Sequence, residues 1–285
     1  MKDDCLAAVI GLGLIGASFA SALRVVRPRW SVIGFDHDEA VSSRALSDGN
    51  VHRVASTAHQ AVQDADVIIL AAPVRVIHDF IGQLPQLTTG EAVVLDLGST
   101  KRTIANAMSA LPERLQAIGG HPMTGALTAG SARPSARLFE GQRFVLTPTA
   151  RTTPETLDWA QRLLTDFKAD ILVMDASRHD QAVAITSHLP HVLSLPLLEL
   201  FAAQDDATRS LAAGGFRSRI EGTATNPRMW RDILVSNRDE ILKALESYEE
   251  HLKAFQRDLQ DGSEERLLQT LEQASVVARH VTKRD

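Results

Sequence analysis

Six residues near the N-terminus, Gly11-Leu12-Gly13-Leu14-Ile15-Gly16, restrict the fold more than any other feature of this chain. They follow a short apolar run at residues 6–10 (Leu-Ala-Ala-Val-Ile) and open a helical pattern from about Leu14 to Val26. A second apolar run, residues 31–36, ends in Asp36, twenty residues beyond Gly16. In such a G-x-G-x-x-G pattern Gly11 permits a tight turn. Gly13 lets an anion approach the backbone, and Gly16 lets helix and strand pack closely. The free N–H groups and the dipole of the following helix favour a pyrophosphate there. Strand, glycine turn, helix, strand and terminal acid together predict a dinucleotide-binding fold.

The acid also selects the cofactor. Asp36 can accept hydrogen bonds from ribose hydroxyls and would repel a 2′-phosphate. It is followed by His37-Asp38 rather than by a cation. NAD is therefore expected over NADP. The expected cofactor residues are Gly11, Gly13, Leu14, Ile15, Gly16 and Asp36. Ala72 and Pro73, just past another apolar run at 66–71, join them as a loop beside the dinucleotide.

Further strands are expected at 92–97, 116–119, 143–147 and 170–174, with a helix from Pro154 to about Phe167. The apolar residues of these runs are continuous rather than alternating, as in parallel strands covered on both faces. The expected fold class is α/β: a Rossmann doubly wound, mostly parallel sheet followed by an all-helical domain. The boundary is placed near 175, giving domains of 1–175 and 176–285. Residues 179–203 are apolar nearly all round and contain Pro190 and Pro196. A helix without a polar face is expected to be buried or to form a subunit interface, kinked at its prolines. Two amphipathic helices are expected between Trp230 and Val281, around Asp261-Gly262-Ser263.

Composition removes several function classes. Thirty basic against 35 acidic residues give a net charge of -5, so nothing favours nucleic acid or an anionic membrane globally. The single cysteine, Cys5, excludes an intramolecular disulfide framework and a Cys-rich metal site, and no metal is expected. Asp3-Asp4 spoils a signal-peptide start, and no segment is expected to reach the about 18 apolar residues of a membrane span. The expectation is a cytoplasmic protein acting on a small molecule, with no nucleic-acid or membrane partner and no appended regulatory domain.

Three segments carry candidate chemistry: Asp96-Leu97-Gly98-Ser99-Thr100-Lys101, Gly119-Gly120-His121-Pro122-Met123, and Thr186-Ser187-His188-Leu189-Pro190-His191. The first two lie past predicted strands, whose ends converge on one side of the crevice. Together with Gly11 to Gly16, Asp36, His179-Asp180, Gly214-Gly215-Phe216 and Asn226-Pro227-Arg228-Met229-Trp230, they give a pattern that resembles the prephenate/arogenate (cyclohexadienyl) dehydrogenase family. The resemblance spans positions 11–230. It implies a helical dimerisation domain, hence a homodimer, and NAD-dependent oxidative decarboxylation of a cyclohexadienol in tyrosine biosynthesis. It implies His121 as general base for the ring hydroxyl, with Ser99 orienting the same hydroxyl. Imidazole titrates near neutral pH, which suits the task. His188 and His191 would line the substrate pocket. His179-Asp180 reads as the start of the long helix rather than as chemistry.

The sequence departs from the family where the substrate is recognised. Ala126-Leu127 stands where many relatives carry Thr-Glu, and Glu221 where they carry an arginine for the side-chain carboxylate. Arg217 or Arg219 would take over that role. Alternatively, Glu221 would pair with an amino group on a modified substrate. A non-catalytic NAD-binding regulator is the remaining reading from a different class.

Overall fold

The computed structural model describes residues 4–124 and 133–282. Its eight strands are β1 (Leu6–Ile10), β2 (Ser31–Phe35), β3 (Arg53–Val54), β4 (Val67–Leu70), β5 (Ala92–Asp96), β6 (Leu115–Pro122), β7 (Arg143–Pro148) and β8 (Asp170–Val173). They form one sheet in the order β3-β2-β1-β4-β5-β6-β7-β8. All pairings are parallel except β6 with β7. The expected Rossmann class is what the structure has.

The strands are apolar throughout because both faces are covered. Val67 and Ile69 enter one core cluster with Phe19, Leu23, Phe144 and Leu163. Ile68 and Leu70 enter the opposite one with Ile77, Ile81, Val94 and Ile104. All four strand residues are 0–1% exposed. The chain order reverses between β1 and β4, where Ile10 pairs with Leu70. A crevice opens beyond the carboxyl ends of strands at such a reversal.

Two strand readings need correcting. The two-residue β3 has too few residues to leave a pattern. Strand β6 was expected at 116–119 but continues to Pro122, which puts His121 inside the strand. The extension is sustained by antiparallel pairing, His121 opposite Val145 and Pro122 opposite Phe144. Its other edge is unpaired beyond Gly119, so Pro122 withholds no ladder hydrogen bond there.

By compactness the chain separates into Met1–Arg238 and Asp239–Asp285. In the first unit, the regular elements after β8 are all helices. The helix Ala176–Val183 passes through a wide π-helical turn, Ala184–His188, into the helix Leu189–Ala202. The sequence led us to expect sharp kinks at Pro190 and Pro196. Instead the wide turn absorbs Pro190: Leu189 N–H bonds to Ala184 O, five residues back. Pro196 lies within the second helix. This run, Ala176–Ala202, is long and apolar enough by length and composition to cross a membrane, which corrects the reading that no segment was. Short helices at Asp206–Ser210 and Gly214–Ile220 follow. The helix Pro227–Ser236 is capped by Asn226, whose side chain accepts from Arg228 N–H and Met229 N–H.

The second unit holds most of the helix Arg238–Asp261 and the helix Glu264–Thr282. Gly262, with φ of +64°, makes the turn. Arg266 bridges it by pairing with Asp261 at 2.7 Å and Asp258 at 3.4 Å. The sequence predicted this turn but not the break at Asn237, which divides the expected first helix in two.

Candidate active site

The glycine turn is built as its spacing predicted. Gly11 has φ of +92°, and a Cβ there would lie 2.4 Å from Ala71 O. A Cβ on Gly16 would lie 1.9 Å from Gly11 O, so helix Leu14–Val26 can only pack here through a bare backbone. Gly13 is different: a Cβ on it would meet no atom within 4 Å. It caps the helix without any side-chain hydrogen bond to the first turn. Open space above uncapped N–H groups fits a pyrophosphate. Asp36 stands directly after β2. Its Oδ2 accepts from Leu12 N–H at 2.8 Å, and its Oδ1 accepts from Asp38 N–H at 3.0 Å with His37 Nδ1 also 3.0 Å away. The acid thus braces the turn while remaining at its rim.

A cleft of about 450 Å³ begins at this turn. Gly13, Leu14, Ile15, Ala72 and Pro73 form one wall. Ser99 and His121 form the floor side, and Thr225, Asn226, Met229 and Ile233 close it from the helical segment. Five expected cofactor residues and both expected catalytic residues therefore meet in one cavity.

A buried ion pair shapes the floor. Lys101 and Asp96 are both fully buried and in contact. Lys101 Nζ also donates to Gly120 O at 2.6 Å, and Asp96 accepts from Gly98 N–H and Gly120 N–H. Burial pushes the Asp96 carboxyl up and the Lys101 ammonium down, each opposed by the other's charge. The pair ties the turn carrying Ser99 to the strand carrying His121.

Behind His121 lies a chain of hydrogen bonds that the sequence reading did not foresee. His121 Nδ1 is 2.8 Å from His179 Nε2, and His179 Nδ1 is 2.8 Å from Asp180 Oδ1. Asp180 also accepts from Lys101 N–H at 2.7 Å and Arg102 N–H at 2.9 Å. Burial alone would raise the Asp180 carboxyl, but the bonds from His179 and these two backbone groups outweigh it and hold it low. An ionised carboxylate only accepts, so His179 carries its proton on Nδ1. Its Nε2 then accepts, and His121 must donate from Nδ1. That leaves the Nε2 lone pair of His121 free, with no partner among the described residues. Burial, then the neighbouring His179, Lys101 and His188, hold His121 well below the usual imidazole range. It is neutral at pH 7. His179-Asp180, read from sequence as a helix start, is thus the support of His121. Its signal was an adjacent His-Asp pair opening an otherwise apolar helix.

Not every expected residue reaches the cleft. His188 is 1% exposed. Its Nδ1 lies 3.1 Å from Asn237 Nδ2, which also donates to Asp180 O at 2.8 Å. Burial lowers His188 to about 4. His191 stacks on Trp230 with centroids 3.5 Å apart and rings 2° from parallel. Neither histidine lines the cavity; both instead brace the helix that closes it. Arg217, Arg219 and Glu221 are exposed and also outside the lining. Ala126-Leu127 lies outside the described residues. Among the described residues, no group of three or more His, Cys, Asp or Glu side chains is placed to hold a metal ion.

Comparison with known proteins gives a consistent result. The family model for the prephenate dehydrogenase nucleotide-binding domain matches residues 19–173, and that for the prephenate dehydrogenase dimerisation domain matches residues 175–273. The chain is 33% identical over 253 residues to prephenate dehydrogenase of Bacillus subtilis, covering 87% of this chain and 68% of that protein. It is 30% identical to cyclohexadienyl dehydrogenase of Zymomonas mobilis, covering 90% and 89%. A crystal structure of prephenate dehydrogenase from A. aeolicus, in complex with hydroxyphenyl propionate and NAD+, superposes with a TM-score of 0.87 at 25% identity, covering 97% and 98%.

Proposed function

This chain belongs to the prephenate dehydrogenase family, and from that premise we propose that it oxidises and decarboxylates prephenate or arogenate with NAD, as a step in tyrosine biosynthesis. The observation that carries the reading is the free Nε2 lone pair of His121, held in a cleft that starts at an uncapped, glycine-lined helix N-terminus.

NAD, when bound, supplies the acceptor for the hydrogen and electron pair leaving the carbinol carbon. Gly13, Leu14 and Ile15 would hold its pyrophosphate through backbone N–H groups, and Asp36 would hold the adenosine ribose. His121 Nε2 takes the proton of the ring hydroxyl, and Ser99 fixes that hydroxyl's orientation. Loss of carbon dioxide then aromatises the ring, so the protein need only exclude water and orient the substrate. The wall formed by Thr225, Asn226, Met229 and Ile233 serves that purpose.

His188 and His191 contribute to substrate binding by holding Trp230 and the capped helix in place. The described lining residues of one protomer's cleft include no Lys or Arg. Arg217 and Arg219 are the candidate cations for a substrate carboxylate, and their alanine variants should raise KM. Glu221 makes no contact with the cleft that would favour an amino-substituted substrate. We assign residues 1–175 to cofactor binding and 176–285 to substrate binding and homodimer formation, and place the protein in the cytoplasm.

The deciding experiment follows NADH formation with prephenate and arogenate side by side. Stoichiometric NADH and carbon dioxide with at least one substrate is expected. No turnover of either would overturn the assignment.

A further inference from the structure

We propose that the proton taken from the substrate does not stay on His121 but is relayed inward, so that the positive charge comes to rest on His179 against the Asp180 carboxylate. The proposal rests on the reading of His121 as the base. It starts from the unbroken line His121 Nδ1, His179 Nε2, His179 Nδ1, Asp180 Oδ1, with both gaps 2.8 Å.

The balance of the step is simple. The substrate O–H bond breaks and a bond forms from His121 Nε2 to that proton. The His121 Nδ1–H bond breaks as its proton passes to His179 Nε2. His121 ends neutral in its other tautomer. His179 ends protonated on both nitrogens, and nothing is oxidised or reduced in the transfer.

Geometry supplies the reason for the second transfer. His121 faces three groups that disfavour a positive charge on it: buried Lys101, His188 and, when charged, His179. Among the described residues its ring is hydrogen-bonded to His179 and to no carboxylate. His179 has one: Asp180 is hydrogen-bonded to it and fixed by the N–H groups of Lys101 and Arg102. His179 is 1% exposed, so water does not compete for the charge. His179 and Asp180 act through His121 and are positioning residues.

The test uses the full-length enzyme with NAD and whichever substrate it turns over. His179→Gln keeps an acceptor for His121 Nδ1–H, and so preserves the tautomer, but cannot accept the proton. We expect kcat to fall roughly 10- to 100-fold, within the range general acid–base groups supply, with KM and NAD affinity by calorimetry unchanged. The acid limb of kcat/KM should move to lower pH, since the remaining base is His121 alone, facing Lys101 and His188. Asp180→Asn should cost more, because an amide can donate to His179 and force the wrong tautomer on His121. Asp180 also anchors backbone, so its variant counts only if its melting temperature matches the parent's. Ring-nitrogen NMR of selectively labelled enzyme should find His179 protonated on Nδ1 in the free protein. An unchanged acid limb in His179→Gln would overturn the relay, whether or not kcat falls. If His121→Asn itself retains turnover, the assignment of the base fails first, and the relay with it.

Discussion

The sheet and the helical segment that follows it, residues 176–236, differ in how far each completes its own core. In the sheet, strand residues such as Val67, Ile68, Ile69 and Leu70 are sealed on both faces by helices of the same chain. In the helix Leu189–Ala202 only Leu189 and Ser194 are buried, while Leu200 is 64% exposed and, in the wide turn before it, Ile185 is 63% exposed. Exposed large apolar side chains concentrate on a segment that the dimerisation-domain model matches. The sheet thus completes its own core, whereas this segment leaves apolar side chains exposed, and the hydrogen-bonded line from His121 to Asp180 crosses that division. His121 belongs to the sheet, His179 and Asp180 to the helical segment.

His121→Asn should lower kcat by roughly two to four orders of magnitude, the usual range for a general base. NAD affinity, measured by calorimetry, should barely change, because His121 is proposed to serve the substrate and the residues proposed to hold NAD are others. Ile69→Ala should destabilise by about 2–5 kcal/mol in denaturant titration. That loss should not depend on protein concentration; a strong dependence would show that the sheet also relies on its partner.

Acid should find the seam between the two parts. His188 is held at about 4 against an ordinary 6.5, so the folded protein refuses a proton that the unfolded chain accepts. Its contribution is complete above pH 6.5 and is lost as pH falls toward 4, to a total of about 3 kcal/mol. Unfolding midpoints measured across that window should fall, and His188→Gln should flatten the fall. Leu200→Asp should convert a dimer to a monomer in sedimentation at micromolar concentration while leaving the sheet's spectroscopic signature intact. A parent protein that sediments as a monomer would remove the basis of the comparison. The smallest effect is expected for Asp36→Ala, which should narrow the preference for NAD over NADP by roughly tenfold in kcat/KM, about 1.4 kcal/mol.

Legibility from sequence followed the same division. Continuous apolar runs and the glycine turn located β1, β2, β4, β5 and the helix Leu14–Val26 closely, because burial on both faces leaves a signature in each run. The end of β6 was missed because its last residues are held by β7, a pairing no local pattern records. That Gly13, Leu14, Ile15, Ser99 and His121 face one cavity was legible because each lies at or near the end of a strand whose apolar run can be read. His179-Asp180 was passed over because its meaning depends on a contact with a residue 58 positions away. The expected cleft positions of His188 and His191 came from the family resemblance, on a helix expected to kink at its prolines; the wide turn at Ala184–His188 left no local pattern to read, and Arg217 and Arg219 lie on a short exposed helix whose surroundings sequence does not specify.

The wide turn at Ala184–His188 has a mechanical consequence. Such a turn inserts about one extra residue into a helix, and each residue advances the helix face by about 100°. Asp180 and His188, eight positions apart, would diverge by about 80° on a regular helix; with the insertion they come back into phase. The amide of Asn237 can then reach Asp180 O and His188 Nδ1 at once. The same rotation decides which residues after Pro190 face outward. One dislocation in the helix thus works as a gear tooth, fixing the angle between the face that carries His179 and Asp180 and the face that leaves Leu200 exposed. A helix regularised here would keep every residue and lose the alignment of both.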